Sequence, residues 1–198
     1  KIKELYKNKG EILNHTASHK KLLNLEIEEV KKEIVEAEKK INSKILSPKI
    51  LSYPYGESNK RIQELVFKLG YDIAFSQHSS PLHIGENRFN LPRFAINDEF
   101  GGMVRFRQIV NSKPLLIEDL KILKKNIATG EFEISFELLL NSKNMNCYVN
   151  NNAIIKRKDN ENYIKLQFSN LVPENRYRLN CTLFNERGEL YWLGKMMT

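Results

Sequence analysis

The sequence has no long apolar run, no recognisable signal peptide and no initiating methionine. Its densest apolar cluster is the stretch FELLL at 136–140, far short of the roughly 20 apolar residues that a membrane-spanning helix needs. We therefore predict no integral membrane segment. We interpret the start at Lys1 as the cut end of a longer gene product, so the missing signal peptide says little about export.

Cysteine and histidine are both scarce, and their positions are more informative than their numbers. The two cysteines, Cys147 and Cys181, lie in strand-like stretches of the C-terminal part. They fit either a disulfide formed in an oxidising compartment or two buried thiols. All four histidines fall within the first 83 residues, so we expect any chemistry in the N-terminal part.

Acidic residues are outnumbered by basic ones, which gives a formal net charge of +8. Such a surface suits an acidic polymer, which includes nucleic acid, an anionic cell-wall polysaccharide and a membrane surface. The lysines are spread along the whole chain, however, and no RNA-binding signature or base-reading helix accompanies them. A lysine-rich solvated exterior is the simpler interpretation, and nucleic acid is not a predicted partner.

The N-terminal part alternates between helical and extended patterns. Apolar residues spaced three and four apart predict a helix over 26–41, and further helices are predicted over 59–69 and 99–111. Extended stretches are predicted over 49–55, 71–76 and 89–96. This alternation predicts a mainly parallel sheet flanked by helices over residues 1–112.

The pattern changes at Lys113-Pro114. Apolar and polar residues then alternate strictly in EFEISFELL (131–139), YIKLQF (163–168) and RYRLNCTLF (176–184). Such alternation predicts a small antiparallel β-sandwich over 113–198. Both cysteines lie on the apolar phase of their strands, so a disulfide across the core is one prediction and two buried thiols are the other.

His15 and His19 are the leading candidates for a metal site. The H-x-x-x-H spacing brings two imidazoles to one side of a helical turn, and neutral imidazole is a good zinc ligand. Many such pairs are merely histidines on a helix surface, so the spacing alone does not establish a site.

Four ordered segments give these histidines a context: NHTASH (14–19), YPYG (53–56), GYDIAFSQHSS (70–80) and NLPRFAIND (90–98). Together they resemble the polysaccharide deacetylase family, which is also called carbohydrate esterase family 4 or the NodB homology domain. The resemblance covers residues 1 to about 112 and implies an incomplete (β/α) barrel. The C-terminal part is similar to the tail domain of some bacterial deacetylases, which implies an immunoglobulin-like β-sandwich.

The resemblance also implies roles for individual residues. His15 and His19 would bind a divalent metal, with zinc expected. The backbone N–H of Tyr55 would stabilise a tetrahedral oxyanion, and Arg93 would orient the catalytic aspartate and hold its pKa low. Thr16 and Ser18 would either fix the ligand loop through their hydroxyls or serve as simple turn residues.

The sequence departs from the family pattern in two places. No Asp-Asp motif precedes the histidines, and Asp72 and Asp98 do not match that motif, so we expect structural roles for both. The late Leu-x-His motif is also not evident, and His78 and His83 stand in its neighbourhood without matching it. We expect the catalytic aspartates on a separate N-terminal segment that completes the barrel.

The resemblance implies a metal-dependent enzyme that removes acetyl groups from an N-acetylated polysaccharide, either peptidoglycan or an exported N-acetylglucosamine polymer. The substrate class and the cysteine pair favour a periplasmic or extracellular location. The alternative is a catalytically inactive glycan-binding or assembly module on a deacetylase-like scaffold. In the C-terminal part, Tyr191 and Trp192 could stack on sugar rings or pack in the core.

Overall fold

The computed structural model describes residues 2–126, 131–141, 143–149, 154–160, 163–169 and 177–197. Residue contacts divide the chain into two compact units. Unit 1 comprises Lys1–Gln77 and Ile84–Arg93, and unit 2 comprises His78–His83 and Phe94–Met197. These units are defined by contacts between residues. The end of the deacetylase-like region near residue 112 is a separate matter and stays a prediction.

Unit 1 contains three α-helices: α1 (Ile2–Lys7), α2 (Ile27–Asn42) and α3 (Lys60–Lys68). A capping box formed by Glu26 and Glu29 begins α2, and the Asn59 side chain accepts the Ile62 N–H at the start of α3. Just beyond α3, Gly70 has a φ of 79°, a left-handed conformation that suits glycine. The predicted helices at 26–41 and 59–69 are therefore confirmed.

The strands of unit 1 are short and parallel. Strand β1 (Ile50–Ser52) pairs with β2 (Ile73–Phe75), and isolated parallel bridges join Asn14 to Leu51 and Phe75 to Leu91. An extended segment is predicted over 89–96, but only Leu91 pairs with a strand there, through its bridge to Phe75. Pro92 has no N–H, so it cannot continue a ladder of hydrogen bonds. Within the described ranges these strands close no barrel.

The core of unit 1 lies between the parallel strands and the helices. Its buried residues include the apolar stripe of α2, the inner face of α3 and the strand residues Leu51 and Ala74. The periodicity of 3.6 residues that predicted α2 places Val30 and Ile34 on this buried face. The helices and the parallel strands of unit 1 therefore share one hydrophobic cluster.

Among its described residues, unit 2 contains one helix, α4 (Met103–Asn111), followed by eight strands. The strands are β3 (Lys113–Pro114), β4 (Ile117–Asn126), β5 (Glu131–Leu138), β6 (Met145–Val149), β7 (Ile154–Asn160), β8 (Tyr163–Ser169), β9 (Tyr177–Phe184) and β10 (Leu190–Met197). They form two four-stranded sheets, with strand orders β3-β10-β9-β6 and β4-β5-β8-β7. All pairs are antiparallel except β3 with β10.

Both sheets of unit 2 contribute to one hydrophobic cluster. In β5 the alternating residues Phe132, Ile134, Phe136 and Leu138 are all buried, as the sequence predicts. The fold is thus mixed α/β in unit 1 and mainly β in unit 2. None of the helices in the described part of the chain is both long and apolar enough to cross a bilayer.

The two cysteines form a disulfide, and the predicted path across the core is wrong. Cys147 on β6 lies directly opposite Cys181 on β9, with their Cα atoms 4.1 Å apart. The bond therefore joins neighbouring strands of one sheet instead of bridging the two sheets. Alternation places both side chains on the same face, but it does not predict which strands become neighbours.

Trp192 packs inside unit 2, so the interpretation as a core residue is correct. Its side chain is 5% exposed, and its Nε1–H donates to the Asn180 side-chain oxygen at 3.2 Å. The Phe94 ring meets it edge-on with a centroid distance of 5.1 Å. A buried indole with its N–H already bonded is not available to stack on a sugar ring.

Candidate metal centre

The predicted site residues gather at one edge of the parallel strands of unit 1. His15 follows the bridge residue Asn14, Tyr55 lies in the turn after β1, and Arg93 comes two positions after Leu91. The carboxyl ends of parallel strands meet at one edge, which is where α/β proteins place their ligands. The parallel pairing thus brings together segments that are far apart in sequence.

His15 is held in one ring orientation by a backbone carbonyl. Its Nδ1–H donates to the Ser52 oxygen at 2.7 Å, at the end of β1. A carbonyl accepts only, so this bond fixes the proton on Nδ1 and leaves the Nε2 lone pair for a ligand bond. Metal-binding histidines are commonly oriented in this way.

His19 lies beside His15 and against Tyr55. The two imidazole centroids are 4.8 Å apart, and the Tyr55 ring is also 4.8 Å from the His19 ring, in both cases edge-on. Two imidazoles that bind one tetrahedral zinc at about 2.1 Å have ring centres roughly 5 Å apart. The separation of the two rings therefore fits a shared metal ion.

The segment between the histidines is a loop, and the helical turn expected from the spacing is not formed. Thr16 has a φ of 67° and His19 a φ of 56°, both in the left-handed region. Such conformations cost roughly 1–3 kcal/mol each and persist only where surrounding contacts enforce them. The Thr16 N–H donates to the Asn14 Oδ1 at 2.9 Å, and the His19 N–H donates to the Thr16 hydroxyl at 3.2 Å.

Asn14 anchors the loop to the rest of unit 1. It is 2% exposed, and its Nδ2 donates to the Ile34 carbonyl of α2 at 2.9 Å and to the Tyr71 hydroxyl at 2.6 Å. Burial, followed by the charge of Glu38, raises the pKa of Tyr71, so the phenol stays protonated. Asn14 thus ties the residue before His15 to two other elements of the unit.

Glu33 on α2 binds the other half of the loop. Its carboxylate accepts the Ser18 N–H at 2.8 Å and the Ser18 hydroxyl at 2.5 Å, and its carbonyl accepts the Ala17 N–H at 3.0 Å. Burial alone would raise the pKa of Glu33, but the bonds from Ser18 and the charge of Lys20 outweigh burial and lower it. The carboxylate is therefore ionised where it restrains the loop.

Sequence reasoning missed Glu33, although one signal was present. An acidic residue at position 33 interrupts the apolar stripe of α2, formed by Val30, Ile34 and Ala37. A carboxylate on the buried face of a helix needs partners, which here are supplied by the histidine loop. The acidic residue in the apolar stripe of α2 could have indicated a buried hydrogen-bond acceptor, but not which residues donate to it.

Tyr55 occupies a tight turn formed by Pro54–Gly56. Its φ is 57°, and Gly56 has a φ of 72°. A Cβ atom at Gly56 would lie 2.3 Å from the Cβ of Gln77, so only glycine fits this position. The Ser76 hydroxyl donates to the Gly56 carbonyl at 2.7 Å and joins the turn to the segment after β2.

Arg93 is joined to the same segment. Its Nε–H donates to the Ser76 carbonyl at 2.7 Å, and burial lowers the pKa of the guanidinium. No ion pair of the described residues includes Arg93. The aspartate that it is predicted to orient is thus not among its partners in this part of the chain.

The other residues considered from the sequence lie outside this arrangement. His78 and His83 belong to unit 2. The Asp72 backbone carbonyl accepts an Arg88 Nη2–H at 2.8 Å, and the Asp72 N–H donates to the Lys49 carbonyl at 2.8 Å. Asp98 is exposed.

The donor set suits zinc in kind but is incomplete in number. Protein zinc sites have three or four protein ligands, and here two imidazoles are suitably placed. Across the described ranges, no group of three or more His, Cys, Asp and Glu side chains is placed to hold a metal ion. A complete centre therefore needs at least one ligand that these residues do not supply.

Comparison with known families agrees with this geometry. Residues 1–74 match the family model described as polysaccharide deacetylase. This match agrees with the resemblance that the motifs predicted for the N-terminal part of the chain, and the family suggests a hydrolase. The match covers His15, His19 and Tyr55 and ends before Arg93. No curated protein matches the chain.

Proposed function

We propose that the protein containing this chain is a metal-dependent deacetylase of an N-acetylated cell-wall or exported polysaccharide. The observation that carries the proposal is the His15–His19 pair, in which the Ser52 carbonyl orients one ring and the two ring centres are 4.8 Å apart. The pair lies inside the segment that matches the deacetylase family. Peptidoglycan or an N-acetylglucosamine polymer is the proposed substrate.

Each residue of the site has one proposed task. His15 Nε2 and His19 hold the metal, which when bound polarises the water and the acetamide carbonyl. The Tyr55 backbone N–H, presented by the Pro54–Gly56 turn, stabilises negative charge that develops on the acetamide oxygen. Arg93, bonded to Ser76, orients the carboxylate that activates the water.

The missing ligand and the general base are proposed to come from a separate N-terminal segment that carries the family's Asp-Asp motif. Such a segment would add a strand to the parallel sheet and complete more of a (β/α) barrel. The absence of a three-residue metal group from the described residues favours a second candidate for this chain alone. That candidate is an inactive glycan-binding or assembly module.

One experiment separates the two candidates. Acetate release from N-acetylglucosamine oligomers is measured for the longest natural polypeptide that includes this chain, with and without chelation and zinc restoration. An enzyme loses activity on chelation, regains it with zinc, and loses it in His15→Ala and in His19→Ala. Glutamine replacement of the exposed Glu36 is the control and leaves activity intact. Undiminished activity after chelation contradicts the metal-dependent proposal.

Unit 2 is proposed to be an immunoglobulin-like β-sandwich. With β4, β5, β6, β7, β8, β9 and β10 taken as strands A to G, its sheets have the orders A-B-E-D and G-F-C. A periplasmic or extracellular location is proposed as well. The Cys147–Cys181 disulfide supports it, because disulfides persist in oxidising compartments.

A further inference from the structure

A half-exposed aromatic residue of unit 2 separates two depressions in its surface. Phe184, at the end of β9, is 47% exposed and lines both of them. One, of about 290 Å³, lies between the β5–β6 and β9–β10 connections. The other, of about 490 Å³, lies between the last turn of α4 and the β9–β10 turn. We call this surface the Phe184 groove, and it is lined by Gln108, Asn111, Lys143, Asn144, Phe184 and Arg187 among others.

The groove is rigid on the side that holds Phe184. In the β9–β10 turn, the Asn185 Nδ2 donates to the Glu189 carboxylate at 2.7 Å, and its Oδ1 accepts the Arg187 and Glu189 N–H groups at 3.0 and 2.9 Å. Lys113 Nζ also bonds to Glu189 at 2.5 Å. These bonds fix the turn that follows Phe184, so little order has to be created there on binding.

The chemistry of the groove matches a sugar ring better than a purely apolar ligand. A hexosamine has an apolar face of C–H groups, which an aromatic ring can cover, and an edge of hydroxyl and acetamide groups. Gln108, Asn111 and Asn144 provide side-chain amides, which both donate and accept hydrogen bonds. Asn111 Nδ2 already donates to the Arg107 carbonyl at 2.8 Å, which leaves its second N–H and its Oδ1 for a ligand. Small-molecule sites combine these features, an apolar surface with a few polar groups.

Charge selects among sugars. Among the described residues, Lys143, Arg187 and one acid, Glu186, line the first depression. Arg107 lines the second, where Lys113 and Glu189 pair with each other. The groove therefore carries an excess of positive charge. The amine of a deacetylated hexosamine is repelled in its protonated, ammonium form, whereas the N-acetylated sugar is neutral at any pH.

We propose that the Phe184 groove binds an N-acetylated hexosamine oligosaccharide, with one sugar ring against Phe184. The choice of this sugar rests on the proposed deacetylase function, which supplies the substrate class. Such a site on unit 2 would retain the acetylated polymer and release the deacetylated product.

The test titrates the whole chain with an N-acetylglucosamine tetrasaccharide in a calorimeter. Phe184→Ala is expected to weaken binding about tenfold through loss of the aromatic contact, and Phe184→Tyr is expected to restore it. Tyr163→Ala is the matched control, since Tyr163 is a 40% exposed aromatic on the other sheet of unit 2. The fully deacetylated tetrasaccharide is expected to bind more weakly than the acetylated one.

Two further variants separate this inference from the proposed function. His15→Ala and His19→Ala should leave tetrasaccharide affinity unchanged, even if both abolish acetate release. Binding that is lost in those variants but retained in Phe184→Ala overturns the groove and leaves the deacetylase proposal standing. Equal affinity of Phe184→Ala and the unmodified chain, no measurable binding, or a change only in oligomeric state also overturns it.

Discussion

In unit 1 the two strands are three residues long and parallel, whereas most strands of unit 2 are five to ten residues long and antiparallel. Unit 1 covers its strands with α2 and α3, while the two sheets of unit 2 share one hydrophobic cluster. Unit 2 also has a disulfide between neighbouring strands, and unit 1 contains no cysteine.

This difference explains where the candidate metal centre lies. Parallel strands need long connections, and every segment that leaves the sheet at its carboxyl edge contributes a loop to the same place. His15, Tyr55 and Arg93 are all in such segments. In antiparallel hairpins the turns alternate between the two ends of the sheet, so they do not all meet at one edge. The polar groups of unit 2 lie in its turns and in the Phe184 groove.

The largest expected loss of stability comes from a core substitution in unit 2, which tests whether the two units are stabilised separately. Phe136 is fully buried in unit 2, so Phe136→Ala should lower the free energy of unfolding by about 3–5 kcal/mol. Fluorescence of Trp192, the single tryptophan, measures the transition of unit 2. Leu51→Ala in unit 1 is the matched change, observed by helical circular dichroism. If each variant shifts both signals equally, the units unfold together and the comparison fails.

Removing the disulfide should lower the free energy of unfolding of unit 2 by slightly less than Phe136→Ala does. Cys147 and Cys181 are 34 positions apart, and closing a loop of this length stabilises a fold by about 3–4 kcal/mol in the chain-entropy model. The double Cys→Ala variant should unfold at lower denaturant concentration by the Trp192 signal. A reducing agent should have the same effect on the unmodified chain and none on the variant.

His78 should make unit 2 sensitive to acid. Its side chain is 1% exposed, and burial, together with the charge of Lys195, lowers its pKa from 6.5 to about 4. The unfolded chain therefore takes up the proton first, and about 3 kcal/mol of stability is lost as the pH falls from 6.5 to 4. His78→Leu should remove this loss, as measured by Trp192 unfolding across the pH range. If the stability of the unmodified chain and that of His78→Leu change with pH in the same way, the prediction is contradicted.

The smallest effect should come from Glu33, the carboxylate that holds the histidine loop of unit 1. Glu33→Gln should lower stability by about 1–2 kcal/mol at neutral pH, because hydrogen bonds to a charged acceptor are lost. The pKa of Glu33 is lowered, so its contribution is present above its ordinary value of 4.5 and disappears as the pH falls through the lower folded value. Chemical unfolding at several pH values measures the difference.

The control for Glu33 is another acid of the same helix. Glu36 forms an exposed pair with Lys32 at 3.9 Å, and Glu36→Gln should change stability by less than about 1 kcal/mol. A Glu33→Gln difference that persists unchanged in acid would show that shape, and not charge, is what the loop requires.

Local patterns predicted the elements well. The helical spacing of α2, the Gly70 that follows α3 and the alternation in β5 each depend on residues within a few positions of one another. The His15–His19 pair was likewise visible, and so was the deacetylase resemblance, now supported over residues 1–74. The turn at Asn185 to Gly188 joins β9 to β10 as a hairpin.

Contacts between distant residues could not be predicted in this way. His15 is oriented by Ser52, 37 positions away, and Ser18 is bound by Glu33, 15 positions away. The sequence showed two cysteines on apolar phases but not that β6 and β9 would lie side by side. It also nominated Tyr191 and Trp192 as possible sugar-stacking residues, whereas Phe184 is the aromatic residue exposed in a groove.

The amino-acid sequence by itself determined the kinds of elements, their buried faces and the two imidazoles, because periodicity and spacing act over a turn or a strand. Only the tertiary structure decided which carbonyl orients His15, which carboxylate holds the loop, and which strands share the disulfide. Those outcomes depend on the path of the chain between distant segments. The physical reason is that sheet pairing is a non-local choice, set by how all the apolar faces are buried together.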